Sequence, residues 1–105
     1  MNKNDIKLID FIKLHKSRFI HSLQCRAFSS PNPKNRANHI VLKDLIFTET
    51  WDHVSPLIFS RGYRRAFEGV LICLNVMDYD DEFTVDTHET IMNLYNVEYR
   101  AYNRK

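Results

Sequence analysis

The sequence predicts an all-α domain, built as a small bundle of about four helical segments. Two glycines and three prolines among 105 residues are too few for an all-β chain, which needs a turn signal roughly every ten residues. Apolar side chains instead recur at helical spacing. With 44% hydrophobic and 27% charged residues, the chain can bury one core, so residues 1–105 are expected to form a single domain.

The first segment, residues 4–27, is predicted to be a helix with one apolar face. That face contains Leu8, Ile9, Ile12, Phe19, Ile20, Leu23 and Ala27. Two large side chains, Phe11 and Leu14, fall outside it. We therefore expect either that the helix bends near residues 15–17 or that a partner covers a second face.

The middle of the chain is less regular. Residues 29–37 are rich in Pro, Asn and Ser and are predicted to be a linker, followed by Asn38 as a helix cap. Residues 40–47 suit a helix, but their β-branched content leaves a strand open, which would make the fold α+β. Between Trp51 and Pro56 the sequence predicts a turn.

Two further helices are predicted towards the C-terminus. Residues 60–77 are apolar over more than half of the helix circumference, which is typical of the centre of a bundle and would also suit a homodimer core. The acidic loop 78–82 follows. Asp86, with Glu89 three residues later, predicts a capping box at the start of the last helix.

The sequence contains no recognisable catalytic constellation, so we expect a protein that is not an enzyme and needs no cofactor or metal. Two glycines exclude a glycine-rich phosphate loop. His21 and Cys25 are four residues apart and could share a metal ion, but no other His or Cys has a spacing that completes a site. Cys73 lies on the apolar face of the predicted central helix, where a thiol is an inert hydrophobic group.

Charge is distributed unevenly along the chain. Residues 1–43 contain nine basic and two acidic side chains, whereas residues 44–82 contain three basic and eight acidic ones. This pattern indicates either a charged binding face or two parts that neutralise each other on folding.

Two groups combine arginine with tyrosine, a combination that can contact phosphates and stack on bases. The groups are Arg61, Tyr63, Arg64 and Arg65, and Tyr95, Tyr99, Arg100, Tyr102, Arg104 and Lys105. Nucleic-acid binding is therefore an alternative function. Against it, three of the tyrosines lie on the predicted apolar face of the last helix.

The function that we predict is binding to another protein, as a modulator or inhibitor of the accessory, immunity or phage and mobile-element type. Aromatic, arginine and clustered charged side chains dominate protein interfaces. The predicted contact residues are Phe11, Leu14, Trp51, Arg61, Arg64, Arg65, Asp78, Tyr79, Asp80, Asp81 and Glu82. No apolar run approaches the roughly twenty residues that span a bilayer, so no membrane contact is expected. The first residues do not have the pattern of a secretory signal, and the two cysteines are expected to be reduced thiols, so a cytoplasmic protein is expected.

Overall fold

The computed structural model describes residues 6–76 and 79–104, with the backbone alone at residues 75 and 76. It is an all-α fold, as predicted, and no strand occurs within these ranges. The helices are α1 (Leu8–Leu14), α2 (Lys16–Ser29), α3 (Pro33–Phe47), α4 (Trp51–Ile58), α5 (Arg64–Val76) and α6 (Val85–Asn103). A 3-10 turn, Arg61–Tyr63, precedes α5. The strand alternative for residues 40–47 is wrong, because they belong to α3.

The first predicted helix bends at His15, which separates α1 from α2. The N–H of His15 still donates to the carbonyl of Phe11 at 2.9 Å, but its φ and ψ of −111° and 38° are not helical. The bend turns α1 towards α6, where the N–H of Leu8 donates to the Glu98 carboxylate at 2.7 Å. Because α1 and α2 differ in direction, Phe11 packs against the core although it lies off the predicted stripe.

The connection between α2 and α3 is much shorter than the predicted linker at 29–37. Only residues 30–32 of this connection are outside helices, because Pro33 occupies the first position of α3. The N–H of a residue at that position has no partner within the helix, so proline, which lacks an N–H, loses no hydrogen bond there. The Asn32 side chain accepts from the N–H of Lys34 at 2.9 Å, so Asn32 and not Asn38 caps the helix.

The turn predicted between Trp51 and Pro56 is wrong, since these residues form helix α4 with Pro56 inside it. Proline removes one backbone donor, and in a helix of eight residues that loss affects only the last turn. The capping box predicted at Asp86 is also wrong. Thr84 caps α6 by accepting from the N–H of Thr87 at 3.2 Å, which places Asp86 in the first turn.

Helix α5 lies at the centre and is held by polar bonds from three neighbouring helices. Ser22 of α2 donates to the carbonyl of Val70 at 2.9 Å. His39 of α3 donates to the carbonyl of Ala66 at 3.1 Å, and His88 of α6 donates to that of Leu71 at 2.9 Å. A helical carbonyl has a second lone pair, so it can accept these bonds without losing its place in the helix. The surrounding core contains Leu8, Ile12, Phe19, Leu23, Leu42, Ile46, Val54, Ile58, Phe67, Leu74, Phe83 and Ile91.

Candidate functional site

Two of the predicted contact residues, Phe11 and Trp51, belong mainly to the packing of the fold. Both are half-buried against the core. The ammonium group of Lys13 lies 5.7 Å from the centre of the Trp51 ring and covers part of it. These two aromatic side chains therefore offer a partner less surface than the sequence suggested.

The acidic loop is fixed by hydrogen bonds of Asp80. One carboxylate oxygen accepts from the backbone N–H groups of Phe83 at 2.7 Å and Glu82 at 2.9 Å, and the other accepts from Arg18 at 2.8 Å. The N–H of Phe83, followed by that of Glu82 and the Arg18 cation, holds the pKa of Asp80 below its usual value. The exposed carboxylates of Asp81 and Glu82 remain available, while Asp78 lies outside the described residues.

Arg18 and Phe83 join the basic first part of the chain to the acidic middle. The guanidinium of Arg18 lies 4.3 Å from the centre of the Phe83 ring, and His15 meets the same ring edge-on at 5.1 Å. Tyr79 stacks on Phe83, with the ring centres 6.1 Å apart. Folding thus neutralises part of the charge separation seen in the sequence.

A cleft of about 460 Å³ opens where the α1–α2 bend faces this loop. Its lining residues are Leu14, His15, Lys16, Ser17, Arg18, His21, Asp80, Glu82 and Phe83. Three predicted contact residues, Leu14, Asp80 and Glu82, are brought together here. Burial, with a smaller effect from Arg18, lowers the pKa of His15. Within the described ranges, no three His, Cys, Asp or Glu side chains are placed to share a metal ion.

The two predicted arginine–tyrosine groups meet at the other end of α6. The Arg64 guanidinium lies 4.4 Å from the centre of the Tyr99 ring and donates to Glu68 at 2.8 Å. The hydrogen bond to Tyr99, followed by that to Glu68, raises the pKa of Arg64. Arg61 and Arg65 are exposed. Eleven residues of α6 separate Tyr99 from His88, a distance of about 16 Å, so this group is remote from the acidic loop.

The tyrosines of α6 serve the core more than the surface. Tyr95 is buried and stacks on Phe59 with ring centres 5.7 Å apart, and its burial raises the pKa of the phenol. Tyr99 is half-buried beneath Arg64. Of the three, only Tyr102 is exposed, so little aromatic surface remains here for base stacking.

An apolar surface that the sequence analysis did not identify lies on the outside of α2 and α3. We call it the hairpin face and define it by Ile20, Phe28, Ile40 and Phe47. Phe28 is 83% exposed and Phe47 67% exposed, although both belong to regular helices. Exposed phenylalanines grouped with isoleucines are unusual on a monomer and typical of interaction surfaces.

The two helices of this face run antiparallel. Lys16, at the start of α2, lies 5.7 Å from the ring centre of Phe47 at the end of α3, and its ammonium is 4.0 Å from the Glu49 carboxylate. On α2, Ile20 and Phe28 lie eight residues apart with Gln24 between them, and four-residue steps form one ridge. The second ridge, on α3, consists of Arg36, Ile40, Lys43 and Phe47. Between the ridges is a groove of about 310 Å³, lined by Ile20, Gln24, Lys43, Asp44 and Phe47.

The rim of the hairpin face is basic. Helices α2 and α3 together contain six Lys and Arg residues and a single acidic residue, Asp44. Arg18 is bound to Asp80, and Arg26 packs against Gly69 of α5. Of the other four, Lys43 lines the groove and Lys16 lies against Phe47. Lys34 and Arg36 are exposed in the first turn of α3, and Arg36 is one turn before Ile40.

The sequence did contain a signal for this face. Phe28 and Phe47 fall outside the apolar stripes of their helices, as Phe11 and Leu14 do. The predicted first helix ends at residue 27, one residue before Phe28, and the sequence allows both helix and strand at residues 40–47. Without both helices the two phenylalanines could not be placed on one surface.

Comparison with protein families, with curated proteins and with solved structures finds no match for this chain. Among the residues that the structure describes, no helix has both the length and the apolar character needed to cross a membrane.

Proposed function

We propose that this protein is a non-enzymatic module that binds another protein and modulates or inhibits it. The observation that carries the proposal is the hairpin face, where Phe28 and Phe47 are exposed on two packed helices. Their exposure to water is unfavourable, because burying apolar surface lowers the free energy by about 25 cal/mol per Å². A phenylalanine buries at least roughly 150 Å², and Phe28 is 83% exposed, so covering its exposed part would contribute about 3 kcal/mol.

A protein partner suits this surface better than a small ligand. The groove is shallow and continuous with exposed side chains on both ridges, whereas small-molecule sites enclose most of the ligand. Large aromatic anchors surrounded by charged side chains are the usual composition of a protein interface. The rim provides such charges at Lys16, Arg36 and Lys43.

The test is an affinity purification of tagged protein from the cells that produce it, with and without nuclease. We expect a stoichiometric partner with the wild-type protein and its loss with the double variant Phe28→Ser and Phe47→Ser. The matched control is Ile72→Ser with Val97→Ser, which removes side chains that are 64% and 61% exposed on α5 and α6. Equal recovery with both double variants would contradict the role of the hairpin face.

Nucleic-acid binding is the second candidate, favoured by the basic bias of α2 and α3 and by the exposed Arg61 and Arg65. If this candidate is right, the affinity of the protein for nucleic acid should fall steeply as the salt concentration rises, because contacts with phosphates release counterions. In the same purification, recovery of nucleic acid and loss of all co-purifying proteins after nuclease treatment would favour this candidate over protein binding.

A further inference from the structure

The hairpin face has the shape of a binding surface for a third helix. Its ridges come from two antiparallel helices in contact along their length, and the groove between them is lined by Ile20 and Phe47. Helices pack by placing the ridge of one into the groove of another. An added helix would lie along α2 and α3 on the side opposite the core.

The apolar positions also have the spacing that a helix can match. Ile20 and Phe28 are eight residues apart along α2, about 12 Å, and Ile40 and Phe47 are seven residues apart along α3, about 10 Å. Apolar side chains at positions i, i+4 and i+7 of a partner helix span about 10 Å on one face. Such a helix would cover the aromatic side chains at both ends of the groove.

The charges beside the groove determine whether an acidic or a basic partner is attracted. Lys43 lines the groove, Lys16 lies beside Phe47, and the exposed Arg36 precedes Ile40 by one turn of α3. The neighbouring acidic groups are Asp44 in the groove and Glu49 beside Lys16. The excess is positive, so acidic side chains flanking the apolar stripe of a partner helix would be attracted and basic ones repelled.

We infer, on the basis of the proposed function, that the hairpin face binds an acidic amphipathic helix of the partner protein. The apolar stripe of that helix covers Phe28, Ile40 and Phe47, and its Asp or Glu residues face Lys16, Arg36 and Lys43. A nucleic acid would satisfy the cations but leave the aliphatic side chains uncovered.

The experiment places a photoreactive benzoyl-phenylalanine at position 28 or 47 of the full-length protein in the cells that produce it. Position 97 on α6 serves as the control. After irradiation, the cross-linked segment is identified by mass spectrometry. We expect positions 28 and 47 to reach one partner segment, rich in Asp and Glu with apolar residues at helical spacing, and position 97 to give no such product.

A synthetic peptide of the captured segment then provides the affinity measurement. Fluorescence anisotropy with the wild-type protein is compared with Arg36→Glu and Lys43→Glu together, which should weaken binding about tenfold or more. Arg100→Glu and Arg104→Glu together, the same total charge change at the C-terminal end of α6, should leave the affinity within about twofold. Circular dichroism of the bound peptide should show helix.

The other outcomes are distinguishable. Capture of a neutral, basic or extended segment of a partner protein would overturn the acidic helix and leave the proposed function standing. Cross-links between two copies of this chain would show that the face serves self-association, which also overturns the inference. Products with nucleic acid would overturn both. If neither position exceeds the control while the purification still yields a partner, the partner binds elsewhere and the inference fails alone.

Discussion

Gly69 of α5 offers a sharp test of how α2 packs on the central helix. An alanine Cβ at this position would lie 2.9 Å from Nε, 3.0 Å from Nη2 and 3.1 Å from Cζ of Arg26, whereas ordinary van der Waals contact begins near 3.4 Å. The Arg26 guanidinium would therefore have to move. Its Nε is buried and has no hydrogen-bond partner among the described residues. In a helix interior, alanine is otherwise favoured over glycine by about 1 kcal/mol.

We therefore expect the effect of Gly69→Ala on stability to depend on Arg26. In the Arg26→Ala background the substitution should raise the free energy of unfolding by about 1 kcal/mol, the helix-propensity gain alone. With Arg26 present, displacement of the guanidinium should offset much of this gain, giving a coupling energy of about 0.5–1 kcal/mol. Urea unfolding followed by circular dichroism measures all four proteins of the cycle. An equal gain in both backgrounds would refute the close packing of Arg26 on Gly69.

Two further predictions concern pH and helix capping. Burial, the largest influence on both groups, lowers the pKa of His39 and His15 below 6.5, so the unfolded chain takes up their protons first. The free energy of unfolding should be highest above pH 6.5 and fall as the pH is lowered, by no more than about 1.4 kcal/mol per pH unit for each histidine. Urea unfolding at pH values from 7.5 to 5 measures this change. The variant His39→Gln should make the free energy of unfolding depend less on pH. Thr84→Ala should lower the free energy of unfolding by about 1 kcal/mol through loss of the α6 cap, whereas the matched Thr90→Ala, in the exposed part of α6, should change it little. Equal losses for the two threonine variants would argue against Thr84 as the cap.

The fold class followed from the sequence because it depends on local chemistry. Scarce glycine and apolar residues at helical spacing argue against an all-β chain, although they leave a strand open at residues 40–47. Two side chains off the first apolar stripe indicate either a partner or a bend, and the bend occurs at His15. The exact helix ends did not follow. The sequence predicts a helix break at Pro33, but proline is favourable at the first position of a helix, and the local sequence allows both roles.

The start of α6 shows why tertiary packing decides between two good local signals. Asp86 with Glu89 fits a capping box, and Thr84 with Thr87 provides another cap three residues apart. The buried Phe83 directly precedes Thr84, and its ring is fixed by Arg18 and His15. Since those contacts come from distant parts of the chain, the choice of cap could not be predicted from residues 84–89 alone.

The hairpin face could not be predicted for a related reason. A stripe of apolar residues on a helix does not show whether another element will cover it. Polar bonds settle the matter, since Ser22 of α2 and His39 of α3 are both bonded to carbonyls of α5. These two bonds lie on the same sides of α2 and α3 as the buried Phe19, Leu23, Leu42 and Ile46, which leaves Phe28 and Phe47 on the outside. The exposed face belongs to two regular helices that pack on the core, so binding a partner should require little ordering of this backbone. The affinity should then depend mainly on the contacts themselves.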